Sequence, residues 1–503
     1  MKQTTKRTRV IFLAMLALAI FSVLISCNTN QTDPISPSGS DDGPENQTEQ
    51  ENVAQEIAEP VIPYPEADYG GYEFKMLVPG PDTGFWYNTE MYAEEENGDP
   101  INDAIYKRVR EVEAMYNIKL VNIETAGSKS AMARKSIKSG DNAYDMLLFE
   151  MGSGDVQSLA SEGSLVDLKE VPGLNLDAKW WDQKCIEGMS LAGRLFNATG
   201  EISYYRFRTT EVILFNKELA KDFGLESPYQ LVKDKKWTIG KMQEMMKGTA
   251  KDLDGDGKMT ESDQFGIIIY TSVISTGMFG TGELMSKKNA DDIPELVMYN
   301  DRLISVIEKY FEFVYDFDLV FDWARLSVPA PYDVGLKIFE EGRALFDFNG
   351  MHAVPNLRQM DTDFGILPIP MYEENQASGY GHIANSYVTP FVCVPSDAPE
   401  LERTGIIIDA LARKGMEHIT PAYYDVSLKG KFSRDDESQE ILDLVFSTLV
   451  WDISFYYDFG GIGKILDSMV GAKKTDFVSE YEKIEDKVKT AIDKCVDLYR
   501  DLP

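Results

Sequence analysis

The chain has 503 residues, 43% hydrophobic and 11% aromatic, and carries a formal charge of −33. That composition builds a globular body, and a surface so acidic excludes nucleic acid and anionic lipid as natural partners. Roughly 430 residues follow the polar N-terminal part, more than one hydrophobic core usually organises, so at least two lobes are expected.

In chain order, Lys2, Lys6, Arg7 and Arg9 precede an apolar run from Val10 to Ala19 that continues to Leu24-Ile25-Ser26-Cys27. The run is too short for a membrane span and ends in small residues before a cysteine, the pattern of a secretory signal. Leu-x-Ser-Cys resembles a bacterial lipobox. Residues 1–26 are therefore expected to be removed and Cys27 to be lipidated, holding the mature chain to the extracytoplasmic face of a cell membrane. Losing the four basic residues takes the formal charge from −33 to −37. Residues 27–67 complete the anchor and a disordered tether, since Asn, Gln, Ser, Pro, Asp and Glu dominate from Asn28 to Ala67 without a periodic apolar pattern. Cys185, Cys393 and Cys495 then remain, an odd set without paired spacing; a disulfide framework is not expected, and one bridge stays open.

Beyond Asp68, strands alternate with helices. Glu73 to Val78 reads as a buried strand, Ile101 to Tyr116 as an amphipathic helix, Ile118 to Ile123 as a strand, Met132 to Ile137 as a basic helix and Tyr144 to Phe149 as a third strand. Val212 to Phe215 is strand-like, Lys217 to Phe223 helical, and Trp237-Thr238 opens a helix near Lys241 to Thr249. Phe265 to Tyr270, Ala344 to Phe348 and Val388 to Val394 are further strands, and the chain from Ser438 onward is mostly helical. Repeated βαβ units imply a largely parallel, covered sheet.

One loop speaks for itself chemically. Asp252, Asp254, Asp256, Thr260 and Asp263 place oxygen ligands at positions 1, 3, 5, 9 and 12 of a twelve-residue loop, with Gly257 at position 6 and the Lys258 carbonyl at position 7, the EF-hand pattern for Ca²⁺. Asp263 stands where Glu is usual, and its shorter reach weakens the fit. The competing reading is an Asp/Gly-rich turn held by its own hydrogen bonds.

A colinear series of landmarks then resembles the extracellular solute-binding proteins of ABC importers, the carbohydrate-binding (family 1) type in particular. It consists of Tyr144-Asp145-Met146, Leu159 to Leu168, Trp180-Trp181-Asp182, Gly200 to Ser203, Phe215 to Leu219, Trp237-Thr238, Phe339 to Phe346, Gly365 to Pro370 and Pro421 to Asp425. The resemblance covers Gly71 to the C-terminus. It implies an α/β, two-lobed, periplasmic-binding-protein-like fold of type II, with a ligand cleft between lobes joined by a hinge. Lobe I takes residues 68–205 and 387–430, and lobe II takes 206–386 and 431–503. Crossings are expected near Gly200 to Arg208, Ser386 to Pro390 and Lys429 to Phe432. The implied partners are a carbohydrate and the transmembrane subunits of an ABC permease.

A neutral sugar needs flat apolar faces and hydroxyl-matching polar groups. Strand-end loops with that mixture point to Trp86, Tyr87, Asn88, Glu150, Tyr204, Arg206, Tyr380, Asn385, Trp451 and Asp452; Trp180 and Trp181 read as core. Catalytic signatures are poor: the histidines are His352, His382 and His418, without a zinc, nucleophile-elbow, P-loop or dinucleotide motif. With 83 acidic residues, an accidental carboxylate pair is compatible with glycoside hydrolysis, so a lipid-anchored glycoside hydrolase is the rival class and a non-enzymatic receptor the reading. A calcium-dependent adhesion protein would need more than one loop.

Overall fold

A computed structural model describes residues 62–80, 90–125, 127–424, 428 and 436–502. The strands are β1 (Tyr72–Pro79), β2 (Ile118–Thr125), β3 (Met146–Glu150), β4 (Glu211–Asn216), β5 (Phe265–Ile269), β6 (Ser286–Lys288), β7 (Pro294–Leu296), β8 (Val320–Asp322), β9 (Ala344–Gly350), β10 (Phe364–Leu367) and β11 (Pro390–Cys393). One sheet has the order β11-β3-β1-β2 and a second β10-β4-β9-β5-β8, while β6 and β7 form a separate hairpin. The two sheets are the cores of two lobes.

Central strands are continuous apolar runs because helices cover both faces. All five residues of β5 and all six of β4 are buried. The helix Pro100–Tyr116 starts at Asp99, whose carboxylate accepts from the Ile101 and Asn102 N–H groups, and ends at Asn117 in a left-handed conformation. Its inward stripe is Ile105, Val109, Val112 and Tyr116, with Arg108 buried among them. Arg108 donates to the carbonyls of Ile202, at 2.9 Å, and Glu90, so its charge meets backbone dipoles.

The sheets are less uniformly parallel than the βαβ pattern suggests. β1 runs parallel to β2 and β3, and β5 parallel to β8 and β9. But β11 is antiparallel to β3, and β4 is antiparallel to both β9 and β10. The cause is connectivity: strands entering a sheet from the other lobe arrive from the opposite end.

The first two passages between lobes lie side by side. Thr210 bridges Ala384 in antiparallel fashion. The Glu211 N–H donates to the Ile383 carbonyl at 3.1 Å and the Asn385 N–H to the Thr209 carbonyl at 2.9 Å. The Thr209 and Thr389 hydroxyls meet at 2.6 Å. The passage expected at Lys429 to Phe432 lies outside the described residues.

One expectation needs correction, and one open alternative closes. Residues 431–503 were assigned wholly to lobe II, but the last helix, Glu485–Asp501, packs back on lobe I: Tyr499 meets Phe196 edge-on at 4.8 Å and bonds Tyr457, which in turn receives the Asn197 amide. Its apolar stripe, Val488, Ile492, Cys495, Val496 and Tyr499, drives this return. Cys185, Cys393 and Cys495 are buried free thiols, so the bridge left open does not form. No helix of the described residues is long and apolar enough to cross a membrane.

Candidate functional site

In open α/β sheets ligands bind beyond the carboxyl ends of the strands, where backbone dipoles and loops converge. β3 ends at Glu150 and turns through Met151–Ser153; β5 runs into Tyr270, β8 into Trp323–Arg325 and β9 into Met351–Ala353. Gly152 from the first of these ends and Ser272, Ser275 and Thr276 from the second share one small cavity of about 30 Å³, room for a water, with Asn385, Ser386 and Tyr387 of the return passage. The two lobes thus meet at their strand ends. Gly152 is required there: a Cβ at this position would lie 2.5 Å from the Tyr387 ring. Tyr387 itself is 51% exposed, with the Lys464 ammonium 5.3 Å from its ring centre.

Two buried carboxyl groups stand on the paired strands β4 and β9, and Glu211 reaches the cavity's Asn385. Glu211, at the start of β4, accepts from the Asn385 amide at 3.0 Å, and burial pushes its pKa up to about 7, against the pull of the Asn385 and Tyr270 hydrogen bonds. Asp347, on β9, accepts from the Asn349 amide at 2.9 Å; burial, with the charge of Glu211 adding, pushes it too up to about 7. Aromatic rings surround them. Tyr270 stacks on Trp323 with centroids 5.6 Å apart, Trp323 meets Tyr332 edge-on at 5.6 Å, and Tyr332 leans on His352 at 5.7 Å. Burial, then the Arg208 charge, depresses His352 to about 3, which keeps it neutral.

A larger cavity, about 520 Å³, opens between the helix Gln183–Met189 of lobe I and the segment Leu284 to Lys288 of lobe II, closed by Tyr380 and by Thr448 to Ile453.

The fold matches solved structures throughout. A substrate-binding protein of Listeria monocytogenes, solved with cycloalternan, aligns at TM-score 0.50 and 13% identity over 85% of this chain and 98% of its own. The GacH receptor of Streptomyces glaucescens, solved without ligand and with acarbose, aligns at 0.51 and 12% over 86% and 100%. A cyclo/maltodextrin-binding protein solved with maltotetraose aligns at 0.51 and 11% over 85% and 96%. The chain has the two-lobed fold of ABC-transporter sugar-binding proteins. No family model matches it, and no curated protein matches its sequence.

Within this binding-protein fold the expected ligand residues separate into four groups. Trp86, Tyr87 and Asn88 lie outside the described residues. Glu150 and Asn385 stand at the strand-end space, Glu150 paired with Lys129 at 2.8 Å and Asn385 holding Glu211. Tyr380, Trp451 and Asp452 line the larger cavity instead. Asp452 is committed to the frame: its carboxylate accepts from the N–H groups of Met285, Ser286 and Ser454 and from the Ser286 hydroxyl at 2.7 to 3.1 Å. Tyr204 and Arg206 are also internal. Tyr204 packs on Tyr205 and Tyr423 with centroids 5.0 and 4.9 Å away, and Arg206 pairs with Glu201 and, at 3.4 Å, Asp182. Aromatic and amide composition marks such residues, but burial in a core uses the same residue types. The core reading of Trp180 and Trp181 agrees with the structure, where both indoles donate to Asp409, at 2.8 and 3.0 Å.

Tyr270, Trp323, Tyr332, Glu211, Asp347 and Tyr387 were not singled out from the sequence. A usable signal existed: each of Tyr270, Trp323 and Glu211 stands at or just past the end of an apolar strand.

The loop Asp252 to Asp263 folds on its own hydrogen bonds. Asp252 accepts from the Gly255 and Gly257 N–H groups at 2.6 and 2.8 Å, and Asp256 from Lys258 at 2.8 Å. Gly255 and Gly257 have φ of +75° and +80°, which admits the tight turn. One oxygen from each of Asp252, Asp254 and Asp256 lies within 4.8 Å of the others. Asp263 is turned onto the N–H groups of Leu253 and Thr260, at 2.9 and 2.7 Å, which hold its carboxyl below the usual range, and the Thr260 hydroxyl adds a bond at 3.2 Å. The Asp256 N–H pulls Asp254 down, but desolvation and the charges of Asp256, Asp263 and Asp252 carry it up. Of the four expected carboxylate ligands, three converge.

Proposed function

We propose that this protein is an extracytoplasmic receptor, anchored by lipid at Cys27, that binds a carbohydrate between its lobes and delivers it to an ABC-type permease, without turning it over. The observation that carries the reading is the meeting of two sheets' strand ends at one aromatic and polar space, in a fold shared over 85% of the chain with proteins solved around cycloalternan and maltotetraose. The lipobox pattern supplies the anchor and the acidic surface suits a soluble body beside it.

The test is a thermal-shift panel of mono- and oligosaccharides, because a ligand that binds only the folded form raises the melting temperature by mass action. A glycan should shift it and amino acids or peptides should not; the reverse result overturns the assignment, and hydrolysis of an oligosaccharide by pure protein restores the enzyme. The same glycan should shrink the radius of gyration in X-ray scattering as the lobes close. For the loop Asp252 to Asp263 the proposal is a structural Ca²⁺ site held by Asp252, Asp254 and Asp256, supported by their convergence.

A further inference from the structure

Lobe II also reaches lobe I away from the chain passages. The hairpin β6–β7 is inserted between the helices Val273–Gly280 and Asp301–Val314 of lobe II, and its tip meets the turn Glu187 to Arg194. That turn belongs to lobe I, where the next residue, Leu195, donates its N–H to Asp167 at 3.0 Å. The Lys288 ammonium donates to the carbonyls of Glu187 and Ser190 and, at 2.9 Å, to the Ser190 hydroxyl, which itself donates to Asp292 at 2.9 Å. The Asp292 carboxylate also accepts from the Gly193 N–H at 3.0 Å and pairs with Lys288 at 2.9 Å. Its carbonyl accepts from the Ala192 N–H at 3.0 Å. The Lys288 and Asp292 side chains are 18% and 26% exposed.

Both tips are bent for this meeting. Leu191 and Arg194 exchange backbone hydrogen bonds of 2.9 and 3.0 Å around a two-residue turn, with Ala192 and Gly193 at φ of +52° and +84°. Such turns favour Asn or Asp at the first position. Alanine has no polar side chain to ease the left-handed conformation, and the bond from its N–H to lobe II offsets part of the cost. Across the junction Asp292 is also left-handed, at φ +59°, which aims its carbonyl and carboxylate at the same turn. The cavity of about 520 Å³ takes Glu187 and Lys288 into its wall, so this polar contact has open space on one side.

We propose that the hairpin β6–β7 is a clasp that holds the two lobes together without ligand, Lys288 and Asp292 setting how far the cleft rests open. Hinged motion turns about the passages at 209–211 and 383–389, and a tie made elsewhere between the lobes biases that motion toward the arrangement in which the tie is formed. Polar contacts bordering solvent are individually weak, so the clasp shifts a population and does not lock it. That the lobes move to take a ligand rests on the receptor reading above; the clasp rests on the contacts alone.

Spin labels at Lys138→Cys and Lys221→Cys, exposed positions on the helices Lys129–Ser139 of lobe I and Lys217–Asp222 of lobe II, read the lobe separation in the full chain without ligand. The double variant Lys288→Met, Asp292→Gly removes both charged groups and keeps the positive φ. It should move the distance distribution to longer values and broaden it, whereas Lys287→Met, on the same hairpin outside these contacts, should not. Hydrogen exchange gives an independent reading: the Ala192 and Gly193 amides should be protected in the parent and exchange at least ~10-fold faster in the double variant. An unchanged distribution in a variant shown folded by circular dichroism, a shift to shorter distances, or unprotected amides in the parent overturns the proposal. Should the double variant not fold, Ser190→Ala removes the hydroxyl shared by Lys288 and Asp292 and should give a smaller shift of the same sign; no shift there overturns the proposal too. Longer distances in a protein that no glycan stabilises support the clasp and remove the receptor reading. Glycan binding with unchanged distances does the reverse.

Discussion

Two groups of carboxylates lie in the same lobe and are treated in opposite ways. In the loop Asp252 to Asp263 nearly every acid accepts backbone N–H groups of its own turn, in the open at Asp254 and Asp256. On β4 and β9, Glu211 and Asp347 are sealed from water, and Asp347 Oδ1 has no hydrogen-bond partner among the described residues. The first group is shaped by its own turn, and hydrogen bonds to the charged form hold Asp263 as an anion. The second is costly as anion, and burial raises both of its pKa values. Acidity alone therefore does not mark a site; unmet hydrogen-bonding capacity under burial does.

Asp452 is the sharpest test of that distinction. It was expected to touch ligand, lines a cavity, and yet has four donors of its own. Asp452→Ala should destabilise the protein by about 2–4 kcal/mol, because buried N–H groups lose their acceptor. Chemical denaturation reads this directly; an unchanged midpoint with lost glycan affinity would move Asp452 back into the binding site.

The two buried acids of β4 and β9 should show themselves in stability against pH. Its folded pKa values are raised above those of the unfolded chain, so the stability it contributes is present below about pH 4, where both states are protonated, and is lost as pH rises toward and through 7. Ligand-free protein should melt at lower temperature at pH 8 than at pH 5, and Asp347→Asn should remove part of that fall, so the variant gains on the parent as pH rises. Parallel melting curves for the two proteins would show that Asp347 is ionised and solvated.

Tyr387 represents a smaller effect of the opposite kind. It is exposed, so Tyr387→Ala should change stability by less than about 0.5 kcal/mol while weakening glycan binding by about 1–2 kcal/mol through loss of a ring face. Gly152→Ala should weaken binding too, since its Cβ displaces that ring. Full affinity in both would take the return passage out of the site.

What the sequence made legible follows from what it can encode locally. β1, β3, β4, β5 and β9 are apolar runs long enough to read, and the caps Asp99 and Thr238 announce their helices. β6, β7 and β8 have three residues each, too few for a period, and β10 has four. The site is harder still. Glu211 depends on Asn385, 174 residues away, and Trp323 acquires its role only when β8 docks beside β5. Tyr204 and Arg206 carried the expected residue types at the expected crossing, but the chain there folds inward, where Tyr423 and Glu201 meet them.

The smallest expected effect belongs to the loop Asp252 to Asp263, and the comparison explains why. Were Asp252, Asp254, Asp256 and Asp263 all aimed at one ion, stripping it would leave four repelling carboxylates and loosen the lobe. Asp263 instead holds the Leu253 and Thr260 N–H groups, so the loop keeps its shape through bonds an ion does not make. Calorimetry should find one Ca²⁺ per chain, bound through the three converging aspartates, and chelator should lower the melting temperature by only a few degrees. Asp254→Ala should abolish the calcium response yet leave the metal-free melting point close to the parent's, because Asp254 gives its carboxylate to a single exposed N–H, that of Asp256. Asp263→Ala should do the reverse, lowering stability whether or not calcium is present. If chelator and Asp263→Ala prove equivalent and neither adds to the other, the carboxylate of Asp263 turns to the ion after all.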